Sequence, residues 1–505
     1  MVSTSSPLAV QAGLWALSEG GTAVDAAIAA DAVLGVVQPV WTGIGGDLFC
    51  LVADQSDTVA FNGSGPAPSR LDADACRRAA ETAAAAATTA RGAPPALPAW
   101  MADDFPSTLP DRSALAVTVP GVVDGWVQLA GRYGRLPLSR TLEPARALAA
   151  QGFPVGRIAA RHWRAASARL RPGGPFAPVV RAGERVSNPQ LAGSLEAIAR
   201  GGRNAHYEGS WANQTVEVVT GDGGVLALDD LASYAGEWTE PIRGQFRDLE
   251  VLQHPPNGQG AAVLAALALL EKEPKRADAG RGEQLARIML AVREGMRLAQ
   301  RHVADPRAGT VREFWAAPAG LDTGRDTVYT AAAAGGMAVS LITSVFHQFG
   351  SGLTAGGAAL QNRGLGFSLD PASPNHVGPG KRPFHTIIPA MIRDRDRLWA
   401  LLGVVGGPMQ PQGQVQVIAH MVERGVDPQA ALDEPRARWL GGDIIAVEAG
   451  SQPEIIPSLR DAGFQVLDLG LPLGEFGAGQ VIRVHADGWL EGGADGRRDG
   501  VAFGL

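Results

Sequence analysis

Thr327 sits in Arg325-Asp326-Thr327-Val328-Tyr329, where an irregular, charged connector from Ala304 to Asp326 gives way to a run of apolar strands. A β-branched residue opening a strand is ordinary β-propensity. Scission of the Asp326–Thr327 bond would give Thr327 both a hydroxyl and a free α-amine, whose unperturbed pKa is about 7.7–8.0. A single residue would then supply nucleophile and general base. Other common chemistries lose support. Gly43-Ile44-Gly45 lacks the third glycine of a dinucleotide fingerprint and follows a helical pattern and Pro39 rather than a strand. No Walker A, H-E-x-x-H or G-x-S-x-G sequence occurs. The nearest histidines, His376 and His385, have no carboxylate at metal-ligand spacing, so neither metal nor cofactor is expected.

The elements that must position Thr327 follow from periodicity. Leu8 to Leu17 and Thr22 to Val37 read as two helices, separated by Gly20-Gly21 and reopened by the capping box Thr22-x-x-Asp25. Gly43 to Asp47 is a glycine turn into a strand, Leu48 to Val52, that lets backbone approach backbone. Residues 72–112 read as an insertion or alanine-rich helix flanked by loops. Further helices are expected at Gly125 to Tyr133, Ser139 to Gln151, Leu191 to Arg200 and 284–303, with a strand at Leu249 to Gln253. After Thr327, strands are expected at Val328 to Ala333, Met337 to Val345, Thr386 to Ile392 and Leu398 to Val405, and helices at Gln414 to Glu423 and Pro428 to Leu432. Helices alternating with groups of strands predict an α/β or α+β layered sandwich.

Composition narrows the partners. The 505 residues include 44 basic and 51 acidic side chains, a net charge of −7, which argues against nucleic acid as a partner. Two cysteines, Cys50 and Cys76, cannot make a disulfide framework. The apolar run Ala261 to Leu270 is far short of the roughly twenty residues that span a bilayer, so no membrane partner is expected. The N-terminus lacks a basic region followed by an apolar stretch, which makes the cytoplasm the default location.

Several ordered segments resemble the γ-glutamyltransferase (γ-glutamyltranspeptidase) family of N-terminal-nucleophile hydrolases. These are Gly20 to Ala27, Gln38-Pro39 with Thr42 to Gly46, Val119 to Gly121, Tyr133 to Pro137, Asp230 to Tyr234, Pro255 to Gly260, Pro379 to Pro383, Gly406-Gly407, Glu434 to Arg436 and Asp495 to Gly500. The resemblance implies an αββα sandwich built jointly by two parts of a precursor, residues 1–326 and 327–505, cut between Asp326 and Thr327. It implies Thr327 as nucleophile and, through its amine, base, with Ser344 as a supporting hydroxyl. It also implies Gly406 and Gly407 as backbone donors to an oxyanion. The expected partners are a small-molecule substrate and the two parts of the chain itself.

This sequence departs from the family where a glutamyl head group is gripped. Ser64 replaces a carboxylate-binding arginine, Gly366 an amine-binding acid and Phe346 an asparagine-like contact, while His385-Thr386 replaces a pair of serines. Losing each charge-assisted hydrogen bond costs roughly 1.5–3 kcal/mol, so ordinary glutathione is not the expected substrate. Arg363 is the candidate replacement carboxylate anchor, with Phe346 and His385 shaping a flatter pocket. The expected activity is amide hydrolysis of a small carboxylated substrate through a threonyl acyl-enzyme. The alternatives are carbon–carbon bond hydrolysis in natural-product biosynthesis by the same nucleophile, and an uncleaved, non-catalytic relative.

Overall fold

The computed structural model describes residues 1–54, 57–89, 109–176, 180–275, 279–308, 326–451, 453–467 and 473–505. The connector from 309 to 325 and residues 90–108 of the expected insertion lie outside these; the insertion's described part is the helix Ala73–Thr89.

Two antiparallel sheets form the centre. The first runs Val501–Phe503, Val2–Thr4, Asp326–Ala334, Met337–Phe346, Asp47–Ala53, Thr58–Gly63 and Glu237–Thr239 in spatial order. The second runs Leu490–Ala494, Ala478–Val484, Arg397–Val405, Ala390–Asp394, Leu249–Gln253 and Ile242–Phe246. Each sheet therefore draws strands from both sides of residue 326.

Side-chain alternation divides each strand between two layers. Tyr329, Ala331 and Ala333, with Phe49, Leu51 and Ile342, meet Leu252, Met391, Leu401, Val405 and Ile482 of the second sheet in the middle layer. Val328, Ala332, Val339, Leu341, Leu48 and Val52 point the other way, onto the helices Pro7–Ser18, Ala23–Val37 and Val122–Tyr133. Behind the second sheet pack Gly260–Glu271, Arg281–His302 and Met409–Glu423. This is the expected αββα sandwich.

Local chemistry sets the element ends. Asp25 Oδ2 accepts the Thr22 N–H at 2.8 Å and Thr22 Oγ1 accepts the Asp25 N–H at 3.3 Å, the predicted capping box. The helix expected at Ser139 to Gln151 is two, Leu138–Thr141 and Glu143–Gln151, because Pro144 suits a first turn and not a helix interior. The motifs Glu434 to Arg436 and Asp495 to Arg498 form a buried ionic tie: Arg436 donates to Asp495 at 2.7 Å, and Arg497 to Glu448 at 2.6 Å and Asp495 at 3.1 Å.

The strand expected at Thr386 to Ile392 begins only at Ala390. The preceding extended segment is paired by glutamine side chains instead of a neighbouring strand. Gln259 Nε2 donates to Thr386 O at 2.6 Å, Gln410 Oε1 accepts the Ile388 N–H at 3.0 Å, and Gln414 Nε2 donates to Ile388 O at 2.8 Å. Among the described residues no helix is long and apolar enough to cross a membrane.

Candidate active site

Three neighbouring strands carry a polar row at one end of the first sheet. Thr327 shares the inward face of Tyr329, Ala331 and Ala333, and Asp47 that of Phe49 and Leu51. Ser344 shares the face of Ile342 and stands directly opposite Asp47 in register. Regular pairing of the Thr327 strand ends at Val328↔Thr343 and resumes at Asp326↔Phe346. Thr327 therefore lies beside the bulge formed by Ser344 and Val345, an irregularity that re-aims side chains at a sheet end. The glycine turn before Asp47 lets these strands close up, since a Cβ on Gly46 would stand 2.5 Å from Ser344 O.

Thr327 is 2% exposed, and its Oγ1 accepts a hydrogen bond from Gln410 Nε2 at 3.1 Å. Gln410 lies in the first turn of Met409–Glu423, and Gly406-Gly407 immediately precede that helix. Their φ angles of 120° and 57° are the left-handed backbone that favours glycine. Gln259 fastens the pair by donating to Gly407 O at 3.0 Å.

A charged flank adjoins this neutral one. Arg363 is fully buried at the start of the 3₁₀ turn Arg363–Gly366. It donates to Ser344 Oγ at 3.1 Å and to Thr386 Oγ1 at 3.0 Å. Its guanidinium lies 4.2 Å from the centre of the Phe346 ring. Phe346 has φ 76°, a strained setting for a bulky residue, and Ser344 Oγ accepts its N–H at 2.8 Å.

His385 Nδ1 accepts the Ile387 N–H at 3.3 Å, which leaves the proton on Nε2, 3.1 Å from Asp47 Oδ2. Asp47 also accepts from Gln361 Nε2 at 2.8 Å and from the Gly65 and Gly121 N–H groups at 3.2 Å each. Burial nevertheless pushes its pKa up to about 7, against the opposing charge of Arg363. Burial and the Arg363 charge hold His385 well below the usual imidazole range.

The expected residues fall into two groups. Thr327, Ser344, Phe346, Arg363, His385, Thr386, Gly406 and Gly407 are brought together at one end of the middle layer. Ser64 and Gly366 stand a step away. Ser64 Oγ donates to Asn62 Oδ1 at 2.7 Å, and Asn257 links this pair to Pro383 O at 2.7 Å. Gly366 is a packing position, since a Cβ there would stand 2.3 Å from Phe384 O.

Gln410, Gln259 and Asp47 escaped the sequence reading. For Gln410 the available signal was Met409-Gln-Pro-Gln-Gly-Gln-Val-Gln416, a run of polar residues on an otherwise apolar helix just after a glycine pair. Asp47 was legible only as the last residue of the glycine turn, whereas the strand begins at it.

The four layers, with a hydroxyl at the inner end of a central strand, define an N-terminal-nucleophile hydrolase. The Gamma-glutamyltranspeptidase family profile matches residues 9–319 and 316–505. The chain is 35% identical to the glutathione hydrolase-like YwrD proenzyme of Bacillus subtilis (strain 168), over 100% of this chain and 98% of the relative. It is 32% identical to the oxamate amidohydrolase proenzyme of Klebsiella pneumoniae, over 98% and 97%. The crystal structure of a cephalosporin acylase from Bacillus halodurans superposes with a TM-score of 0.85 at 36% identity, covering 99% of this chain and 94% of that one. The chain belongs to the gamma-glutamyltranspeptidase family of N-terminal-nucleophile hydrolases.

Proposed function

We propose that the chain cuts itself between Asp326 and Thr327, and that residues 327–505 then use Thr327 to hydrolyse an amide of a small carboxylated substrate. The Thr327 hydroxyl first attacks the Asp326 carbonyl, and water opens the resulting ester. In turnover the α-amine takes the hydroxyl proton and Oγ1 adds to the substrate carbonyl. Backbone N–H groups of Gly406 and Gly407 hold the oxyanion, each such donor being worth about 2.7–4 kcal/mol. The proton passes to the departing amine, and water releases the acyl group. Ser344 supports the nucleophile from the adjacent strand. The processed chain works in the cytoplasm.

The observation that carries this reading is the meeting of an uncharged nucleophile flank with a buried cation within one polar row. Arg363 holds two hydroxyls, groups able to re-aim, so a carboxylate entering beside Thr386 gains charge-assisted bonds of roughly 1.5–3 kcal/mol each. Ser64, Gly366, Phe346 and His385 offer no salt-bridge pair for a glutamyl head group, and Phe346 and His385 leave the pocket flat.

Turnover of three probes tests the proposal: the monoamide of a short dicarboxylic acid, a γ-glutamyl anilide and a β-dicarbonyl compound. The monoamide is expected to give the highest kcat/KM. Preference for the glutamyl anilide overturns the pocket assignment. Preference for the β-dicarbonyl replaces amide hydrolysis by carbon–carbon cleavage at the same nucleophile.

A further inference from the structure

Gln410 is fully buried and touches the hydroxyl assigned above as the nucleophile. An amide can present either end, and its neighbours decide which. Here Ile388 settles the matter, because its N–H points at one Gln410 atom, which must therefore be the carbonyl oxygen. Ile388 is itself held from its other side, since Gln414, one turn along the same helix, donates to Ile388 O at 2.8 Å. With Oε1 committed to an N–H, the NH₂ end of Gln410 faces Thr327 Oγ1 and donates to it.

We infer that Gln410 is a further catalytic residue, whose N–H fixes the direction of the Thr327 proton and stabilises negative charge on Oγ1. The inference rests on Thr327 being the nucleophile. A hydroxyl that accepts from Gln410 cannot also point its own hydrogen there, so the hydrogen is directed away from the helix. After scission it is available to the residue's own amine, as general base catalysis requires. In acylation the Oγ1–carbon bond forms and the carbon–nitrogen bond breaks. The hydroxyl proton moves to the α-amine and on to the departing amine. In deacylation the oxygen of water bonds the acyl carbon, the Oγ1–carbon bond breaks, and a proton of water returns to Oγ1 through the amine. Oγ1 is the leaving atom of that second half, so a fixed donor aimed at it assists both halves.

Gln410→Met removes the donor and keeps the bulk, while Gln410→Glu makes the donor depend on pH. A protonated carboxyl can donate as the amide does. A carboxylate can only accept, and would draw the Thr327 proton away from the amine. Gln416→Met is the control, because it removes another buried glutamine of the same helix, one that bonds the Ala437 backbone and neither Thr327 nor Ile388. Far-ultraviolet circular dichroism at each pH confirms that every variant is folded. For Gln410→Met a fall in kcat on the order of 100-fold, equal at every pH, is expected. The ratio of Gln410→Glu to the parent should fall as pH rises, and Gln416→Met should keep the parent kcat. Folded Gln410 variants with parental kcat and a flat ratio overturn the inference, as does an equal loss in Gln416→Met. Thr327→Ala separates the two levels. If it still turns over, the nucleophile assignment fails; if it is inactive while the Gln410 variants match the parent, only the role of Gln410 fails.

Discussion

The two flanks of the polar row are made of opposite materials. The hydrogen bond described for the Thr327 hydroxyl comes from a neutral group, the amide of Gln410, which the Ile388 N–H fixes in turn. Around Ser344 the groups are charged or titratable: Arg363, Asp47 and His385. A nucleophile that generates its own base needs no neighbouring carboxylate or imidazole to deprotonate it. A fixed charge beside its amine would shift the pKa on which it depends. Arg363 instead bonds Ser344 on the adjacent strand, where the proposed substrate carboxylate would meet it.

Removing the cation should break the contrast most visibly. Arg363→Ala is expected to lower kcat/KM for a carboxylated amide about 100-fold, mainly through KM, and to leave an uncharged amide of equal size within about twofold. Equal losses on both substrates would assign Arg363 to holding Ser344 instead. Steady-state kinetics on the paired amides decides it.

On the neutral side the glutamines replace backbone. Gln412 accepts the Trp439 N–H at 2.7 Å and also donates to Trp439 O at 3.3 Å. Gln412→Leu leaves that buried N–H unsatisfied and should cost about 1–3 kcal/mol in urea unfolding. A change much below this would mean that the helix tolerates apolar packing against Trp439.

The smallest expected effect is a pair of opposing pH slopes. Asp47 titrates near 7 when folded and about 3.9 when unfolded, so its contribution to stability falls as pH rises between those values. His385 has a lowered folded pKa, so below about 6.5 the unfolded chain binds the extra proton and stability rises with pH. The two oppose each other from about pH 4 to 6.5. Relative to the parent, Asp47→Asn should tilt unfolding free energy upward with pH across that window, and His385→Gln should tilt it downward. Denaturant melts every half unit of pH provide the test, and slopes of the same sign would contradict the opposite shifts of the two groups.

Much of this architecture was legible in the sequence, because the apolar runs after Thr327 read as strands and Thr22-x-x-Asp25 writes a helix start in local chemistry. Glycine motifs likewise marked where chains cross, as at Gly46. What stayed hidden depends on sequence-distant neighbours. The segment Thr386 to Ile388 has strand composition, yet its partners are the side chains of Gln259, Gln410 and Gln414. Asp47 joins the row only because its register places it opposite Ser344. Arg363 could be singled out as a charge, whereas its burial between two hydroxyls and the Phe346 ring required the fold.

The most direct measurement is intact mass and N-terminal sequencing of the purified protein after incubation, alongside Thr327→Ala. The account predicts two fragments from the parent, the second beginning Thr327-Val328-Tyr329, and one uncut, inactive chain from the variant. An unprocessed parent with full amidase activity, or a Thr327→Ala chain that still hydrolyses substrate, would contradict it.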